Sequence, residues 1–398
     1  MPQVRYLRDL GQADRRPQVL PLDFLHGRGT LGYRRGMADR PYRFYASEIS
    51  YFSGKVRPAL RAKRVPYDEI LPTTIAYRDV IRPRTGLAMI PVMVTPEDET
   101  WQDSSDILDA LEARFPEPAI VPATPVQRLV CYLVELYADE FLILPGLHYR
   151  WSFPESEKRA RQDFAIMTGD AGRAGRFADQ VKAFTGLTGV RPETAPAIEA
   201  HTRDLLAALE AHFETEPYLL GGRPSLADCA LMGPLYAHLY MDAVPARLLR
   251  ETATLTCQWI ERMNHPDQDA FRPWLPGDAL SPAVRRLLEL VGRDAVPLIL
   301  DGVRAFDAWA DGATPGGDEL PRGVGMHRTR LRGVEFERFT PSYTLWMVQR
   351  VQATHMALDV SGRTAARSAL AGTGCQDLLA YTPRHRVIRR PFKLFLER

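Results

Sequence analysis

Apolar and polar positions follow two different rhythms along this chain, and the rhythm changes near Pro116. Before that point the apolar runs are short. Tyr42-Arg43-Phe44-Tyr45 and Val65-Pro66-Tyr67-Asp68-Glu69-Ile70-Leu71 read as strands. Between them, Lys55 to Lys63 puts Val56, Ala59, Leu60 and Lys63 on one helical stripe, with Pro58 in the first turn, where proline is tolerated. Residues 72–88 predict a loop or short helix. Met89-Ile90-Pro91-Val92-Met93 is an apolar run interrupted by proline, which cannot donate to a sheet ladder. It therefore predicts a strand beginning at Pro91, where a cis peptide can turn the backbone of Ile90 outward. Thr95 to Glu99 is a turn, Thr100-Trp101 a fourth strand, and Ser104 caps a helix with Ile107, Leu108, Leu111 and Phe115 on one face. The order β-α-β-(α)-β-β-α predicts a small mixed α/β sheet of four strands with helices on its faces.

After Pro116 the period becomes helical. Residues 126–145, 157–185, 195–213 and 250–263 predict helices, the second weakened by Gly169, Gly172 and Gly175. Ser225-Leu226-Ala227-Asp228 reads as a capping box with Asp in the Glu position, opening a buried helix with Leu231, Leu235 and Leu239. A proline-rich joint from Phe271 to Pro282 leads into a helix over 283–310. His327 to Phe339 predicts a strand pair turning at Gly333, and Thr340-Pro341 opens a further helix with Tyr343, Trp346, Met347 and Val351. The basic tail from Arg384 reads as solvated surface. The chain thus divides into an irregular segment (1–40), an α/β domain (41–116), an all-helical domain (122–265) and a mostly helical extension (270–398).

Composition narrows the class without naming it. At 45% apolar and 25% charged over 398 residues, the chain can bury a sizeable core. A net charge of +2 gives no reason to expect nucleic acid. Four scattered cysteines lack any metal-like or redox spacing, so no metal and a reduced, cytoplasmic setting are expected. No apolar run reaches the roughly 18–20 residues of a membrane span. Arg15-Arg16 is followed by polar residues and prolines, unlike a twin-arginine signal. Gly27, Gly29 and Gly32 form a literal G-x-G-x-x-G, but no strand precedes it and no helix follows, so it is not read as a dinucleotide site. Met37, directly before the first strand, reads as an alternative start.

Three motifs in register carry a resemblance. Ser50-Tyr51-Phe52-Ser53-Gly54-Lys55-Val56-Arg57 opens the first helix, Ile90-Pro91-Val92 is the proline strand, and Asp103-Ser104 with Ile107 forms acidic-Ser-x-x-Ile. With Ser225-Leu226-Ala227-Asp228 matching an S-x-A-D folding box, residues 42–263 resemble the glutathione S-transferase family. The resemblance implies a thioredoxin-like N-terminal domain, an all-helical C-terminal domain, glutathione as co-substrate and a homodimer. It leaves the first 40 and last ~130 residues outside the ordinary family.

The resemblance also implies roles. Ser50 precedes a helix N-terminus, where a thiol is pushed toward thiolate and a hydroxyl can donate to the sulfur; the alternatives are Tyr51 or Ser53, or a plain N-cap. With serine at both positions of the thioredoxin Cys-x-x-Cys, dithiol chemistry is excluded there. Ile90 and Pro91 would grip the cysteinyl backbone, and Asp103 and Ser104 the γ-glutamyl end, Asp103 through its ammonium. Arg84, Thr85 or Lys63 would meet the glycine carboxylate. Asp139-Glu140 and His148, Arg150 and Trp151 are candidates to line a pocket for a small hydrophobic electrophile, or form a packed helix end. Ser225 and Asp228 read as structural, and His238 and His355 as core histidines. The leading expectation is conjugation of glutathione to an electrophile. The rivals are a non-catalytic binding protein of the same fold, and a glutathione-dependent lyase or isomerase.

Overall fold

The computed structural model describes residues 40–313 and 317–397. The glycine motif at Gly27 and the start at Met37 lie outside the described residues.

Strands β1 (Tyr42–Tyr45), β2 (Tyr67–Ile70), β3 (Val92–Val94) and β4 (Thr100–Gln102) form one sheet in the order β2-β1-β3-β4. β1 runs parallel to β2 and antiparallel to β3, which is antiparallel to β4. Alternation sorts the side chains. Tyr42, Phe44 and Met93 face α1 (Tyr51–Ala62) and α4 (Ser104–Arg114) in the main core. Tyr45, Val92 and Val94 form a second small core with Ala76 and Ile81. Those two come from α2 (Thr74–Ala76) and the turn that carries it into α3 (Arg82–Thr85), so residues 74–85 are helical throughout. This is the expected thioredoxin-like unit. Pro58 lies deep inside α1, not in its first turn, because the helix starts at Tyr51 with Ser50 as its cap.

The helical half comprises α5 (Pro125–Glu140), α6 (Ile143–Trp151), α7 (Pro154–Thr168), α8 (Ala171–Leu187), α9 (Ala195–Phe213), α10 (Leu226–Pro234), α11 (Ala243–Thr252) and α12 (Thr254–Asn264). The expected helix over 157–185 is two helices, because Gly169 takes a positive φ of 64° and ends the first. α10 packs on α1 through glycine: a Cβ on Gly233 would sit 2.8 Å from the Tyr51 carbonyl oxygen.

The extension holds α13 (Pro282–Leu290), α14 (Val296–Ala310), a hairpin of β5 (Gly323–Leu331) and β6 (Val334–Pro341), then α15 (Tyr343–Met356), α16 (Val360–Leu370) and α17 (Gln376–Ala380). The tail read as solvated surface is instead a second hairpin, β7 (Val387–Arg390) with β8 (Lys393–Leu396). Val387 and Leu396 are buried, and one apolar core runs without a break from β1 to Leu396. Burying each such side chain contributes on the order of 2 kcal/mol, which is why the tail folds down. No helix among the described residues is long and apolar enough to cross a membrane.

Candidate functional site

Strand register brings the three motifs to one end of the sheet. Tyr45 pairs with Val92, and Val92 with Gln102. The loop leaving β1 toward Ser50, the Ile90-Pro91 entry to β3 and the Asp103-Ser104 exit from β4 therefore sit side by side. With strands ~4.8 Å apart, these three points span ~10 Å, about the length of an extended tripeptide.

At the first point Ser50 caps α1, its hydroxyl oxygen accepting from the Ser53 N–H at 3.3 Å. The hydroxyl hydrogen is left over, and Ser50 is half-buried. Among the described residues the Tyr51 and Phe52 N–H groups have no partner, as expected for the first turn of a helix. The other two hydroxyls are engaged. Tyr51 donates to the Ala138 carbonyl at 2.6 Å, and burial, then the charge of Asp139, pushes its phenol well above the usual range. Ser53 is fully buried and accepts from the Ser47 N–H at 3.4 Å. The Ser50 loop is held from behind by Arg150, which donates to the Ile49 carbonyl at 2.8 Å and pairs with buried Asp242 at 2.8 Å.

At the second point the Ile90-Pro91 peptide is cis. Ile90 is half-buried, and among the described residues neither its N–H nor its C=O has a hydrogen-bond partner.

At the third point the helix cap is Asp103, not Ser104. Asp103 takes a φ of 82° and its Oδ1 accepts from the Ser105 N–H at 2.9 Å. That leaves Ser104 as the first helical residue, buried, with its hydroxyl and N–H unpartnered among the described residues. Ser105 is locked: Lys55 donates to its hydroxyl at 2.9 Å, and the hydroxyl donates to Glu135 at 2.8 Å. Lys55 also pairs with Glu135 at 2.8 Å and Asp139 at 2.5 Å, all fully buried. Burial pushes both carboxyls up. In Asp139 it wins over Lys55, leaving a raised value, whereas in Glu135 Lys55 and Arg350 together win and lower it.

Residues 44–119 match the family model "Glutathione S-transferase, N-terminal domain", and residues 182–267 match "Glutathione S-transferase, C-terminal domain". These two stretches are thus similar to the two domains of glutathione S-transferases, in the same order along the chain. No curated protein sequence matches it. Among solved structures it is similar to a glutathione S-transferase from Rhodospirillum rubrum F11, at 17% identity over 61% of this chain and 97% of that one, TM-score 0.40. It is also similar to one from Methylobacterium radiotolerans in complex with glutathione sulfonate, at 18% identity over 59% and 96%, TM-score 0.38. A third is a beta-etherase from Sphingobium sp. strain SYK-6, at 16% identity over 63% and 99%, TM-score 0.42.

The extension brings further groups to the site. Asp103 Oδ2 lies 3.3 Å from Arg389 Nη1 on β7, and Arg389 Nε lies 2.8 Å from Asp106. The Tyr343 phenol sits beside Asp103, raised well above its usual range by burial first and then by that carboxylate. Burial likewise raises Asp106 to about 6, against the pull of Arg389. Thr344 donates to Glu140, whose carboxyl burial pushes up, and Arg350 pairs with Glu135 at 3.2 Å. Sequence reasoning missed Lys55, Tyr343 and Arg389. For Arg389 a signal was present: Val387-Ile388 and Leu394-Phe395-Leu396 flank a Pro391-Phe392 turn, the spacing of a hairpin.

The remaining candidates are placed elsewhere. Lys63 donates to the Phe115 and Pro118 carbonyls, at 2.6 and 2.9 Å, and pairs with Glu112 at 2.6 Å. Arg84 pairs with Asp98 at 2.7 Å, and the Thr85 hydroxyl donates to the Ile81 carbonyl at 2.7 Å. Helix α6 points Arg150 at the Ser50 loop and turns His148 and Trp151 away. These two line a cavity of about 470 Å³ with Ser152, Lys182 and Val190. There His148 stands 3.1 Å from both Ser152 Oγ and Glu199 Oε1, and burial, only partly offset by Glu199, lowers its pKa. His238 is satisfied by the Gly146 carbonyl at 2.9 Å and Arg150 at 3.1 Å.

Proposed function

We propose that this protein binds glutathione across the end of its sheet and activates the thiol at Ser50 for addition to a hydrophobic electrophile. The observation that carries the reading is the set of unspent polar groups at that end: the Ser50 hydroxyl hydrogen, the Ile90 N–H and C=O, and the Ser104 hydroxyl and N–H. Polar groups without partners are costly when buried, and here several converge on one end of the sheet. An extended peptide laid along them would satisfy Ile90 through its cysteinyl backbone and Ser104 through its γ-glutamyl carboxylate.

The sulfur would then lie at the start of α1. The helix dipole and the free Tyr51 and Phe52 N–H groups favour an anion there, and the Ser50 hydroxyl can donate to it. Both effects favour the thiolate, the nucleophilic form. The thiol proton passes to solvent, and attack on an aryl halide forms the carbon–sulfur bond as the carbon–halogen bond breaks and halide leaves. The homodimer and cytoplasmic setting implied by the family belong to the same proposal. A non-catalytic reading is favoured by one contact, the pairing of Asp103 with Arg389.

Calorimetry with glutathione tests both. Wild type is expected to bind, Asp103→Ala to bind at least tenfold more weakly, and Ser50→Ala to bind normally while conjugation of a model aryl halide collapses. Absence of binding by wild type defeats the reading altogether. Conjugation that survives Ser50→Ala removes Ser50 from the chemistry.

A further inference from the structure

The β7–β8 hairpin touches the candidate site's domain at two places. At one end Arg389, on β7, meets the start of α4: Nη1 is 3.3 Å from Asp103 Oδ2, Nε is 2.8 Å from Asp106, and Nη2 donates to the Gln102 carbonyl at 3.2 Å. Its side chain is 10% exposed, and its guanidinium lies 6.0 Å from the centre of the Tyr343 ring. At the other end Lys393, on β8, reaches the loop that leads to Ile90, its Cε 3.9 Å from where a Cβ on Gly86 would stand. The first of these contacts falls on the end of the strip proposed above for the γ-glutamyl group.

The hairpin is pinned at its base and light at its tip. Gln349 of α15 holds Val387 by two hydrogen bonds, at 2.8 and 2.9 Å, and Val387 and Leu396 are buried. Past the base, the holds are the Leu320 N–H to the Leu394 carbonyl at 2.8 Å, the half-exposed Lys393–Glu319 pair at 2.6 Å, and the contacts of Arg389. A two-stranded hairpin has little stability of its own, and exposed ion pairs add little. Lifting the tip while the base stays would break these contacts and the packing of Leu394 against the core.

Charge decides what lifting would do. Asp103 Oδ1 is already committed to the Ser105 N–H, so only Oδ2 is available to a ligand, and Arg389 stands at it. The ammonium of a γ-glutamyl group carries the same charge as the guanidinium and seeks the same oxygen. The two compete. Resting on the glutathione reading of this site, we propose that the β7–β8 hairpin is a strap over the site. Arg389 stands at Asp103 in place of the γ-glutamyl ammonium, and a γ-glutamyl thiol binds by displacing it.

The test is glutathione titration by calorimetry on the full chain as wild type, Arg389→Ala and Arg389→Gln, with cysteinylglycine, which lacks the γ-glutamyl group, as control. Removing a competitor of this kind is expected to tighten glutathione binding roughly three- to tenfold in both variants and leave cysteinylglycine unaffected. In wild type, glutathione is expected to speed amide hydrogen exchange across Ile388–Arg390 and Lys393–Leu396, a readout that needs no variant to fold. If wild type binds and both variants bind equally or more weakly, or if exchange in the hairpin slows, the strap falls and the glutathione site stands. If no form binds glutathione, the site reading falls and takes the strap with it.

Discussion

Two helices of this molecule start on an aspartate–serine pair, and they use it in opposite ways. At α10, every polar atom of the pair is consumed within its own domain. Asp228 Oδ1 accepts from the Leu219 N–H at 2.9 Å and the Trp259 indole at 3.0 Å. Its Oδ2 accepts from the Ser225 N–H at 2.9 Å and the Ser225 hydroxyl at 2.6 Å. At α4, Asp103 makes one such bond and offers its other oxygen to a cation from the far end of the chain, while the Ser104 hydroxyl is unspent. A saturated cap is scaffold. An unsaturated one, on a helix otherwise held rigidly, is a place where a ligand can be received.

The contrast can be broken by mutation, and the largest effect is expected at Lys55. Lys55→Met leaves Glu135 and Asp139 without their shared buried cation and frees Ser105 at the start of α4. It is expected to cost about 3–5 kcal/mol in urea unfolding. Asp228→Ala orphans four donors at the α10 start and is expected to cost about 2–4 kcal/mol by the same measurement. Asp103→Ala should cost no more than about 1 kcal/mol, a single cap, while its effect on glutathione binding is much larger in proportion. Equal losses at Asp228 and Asp103 would erase the distinction between the two helix starts.

The smallest effect is a pH slope. Burial raises Asp106 from 3.8 to about 6 in the folded chain, with Arg389 opposing. Between those values the folded state holds more protons than the unfolded one, so this group's contribution to stability is complete below pH ~4 and is lost as pH rises through about 6. Because the side chain is 38% exposed, solvent reduces the effect to a fraction of what full burial would give. Urea melts at pH 4.5 and 7 should show this component in wild type and not in Asp106→Asn.

Much of the fold was legible because hydrophobic period reports local burial. The four strands, the proline at the head of β3, the box at Ser225 and the long helix through α13 and α14 all follow from spacing alone. The misses have physical causes. Gly169 looked like a weak point in one helix, yet its positive φ makes it a terminus. Pro58 was assigned to a first turn because the helix was read from Lys55, a full turn after its true start at Tyr51, capped by Ser50. Near the site, Ser50, Ile90 and Asp103-Ser104 were readable because each is a local pattern. Arg389 was not, because charge in a sequence reads as surface until a partner is known, and its partners lie 287 residues upstream at Gln102 and beside it.

That separation has a consequence in time. A chain made from its N-terminus at ~5–20 residues per second completes the sheet and α4 roughly 15–60 s before Arg389 is synthesised. During that interval Asp103 and Asp106 are already made, but the arginine that pairs with them is not. The contact between Arg389 and Asp103 is therefore among the last that a newly made chain can form.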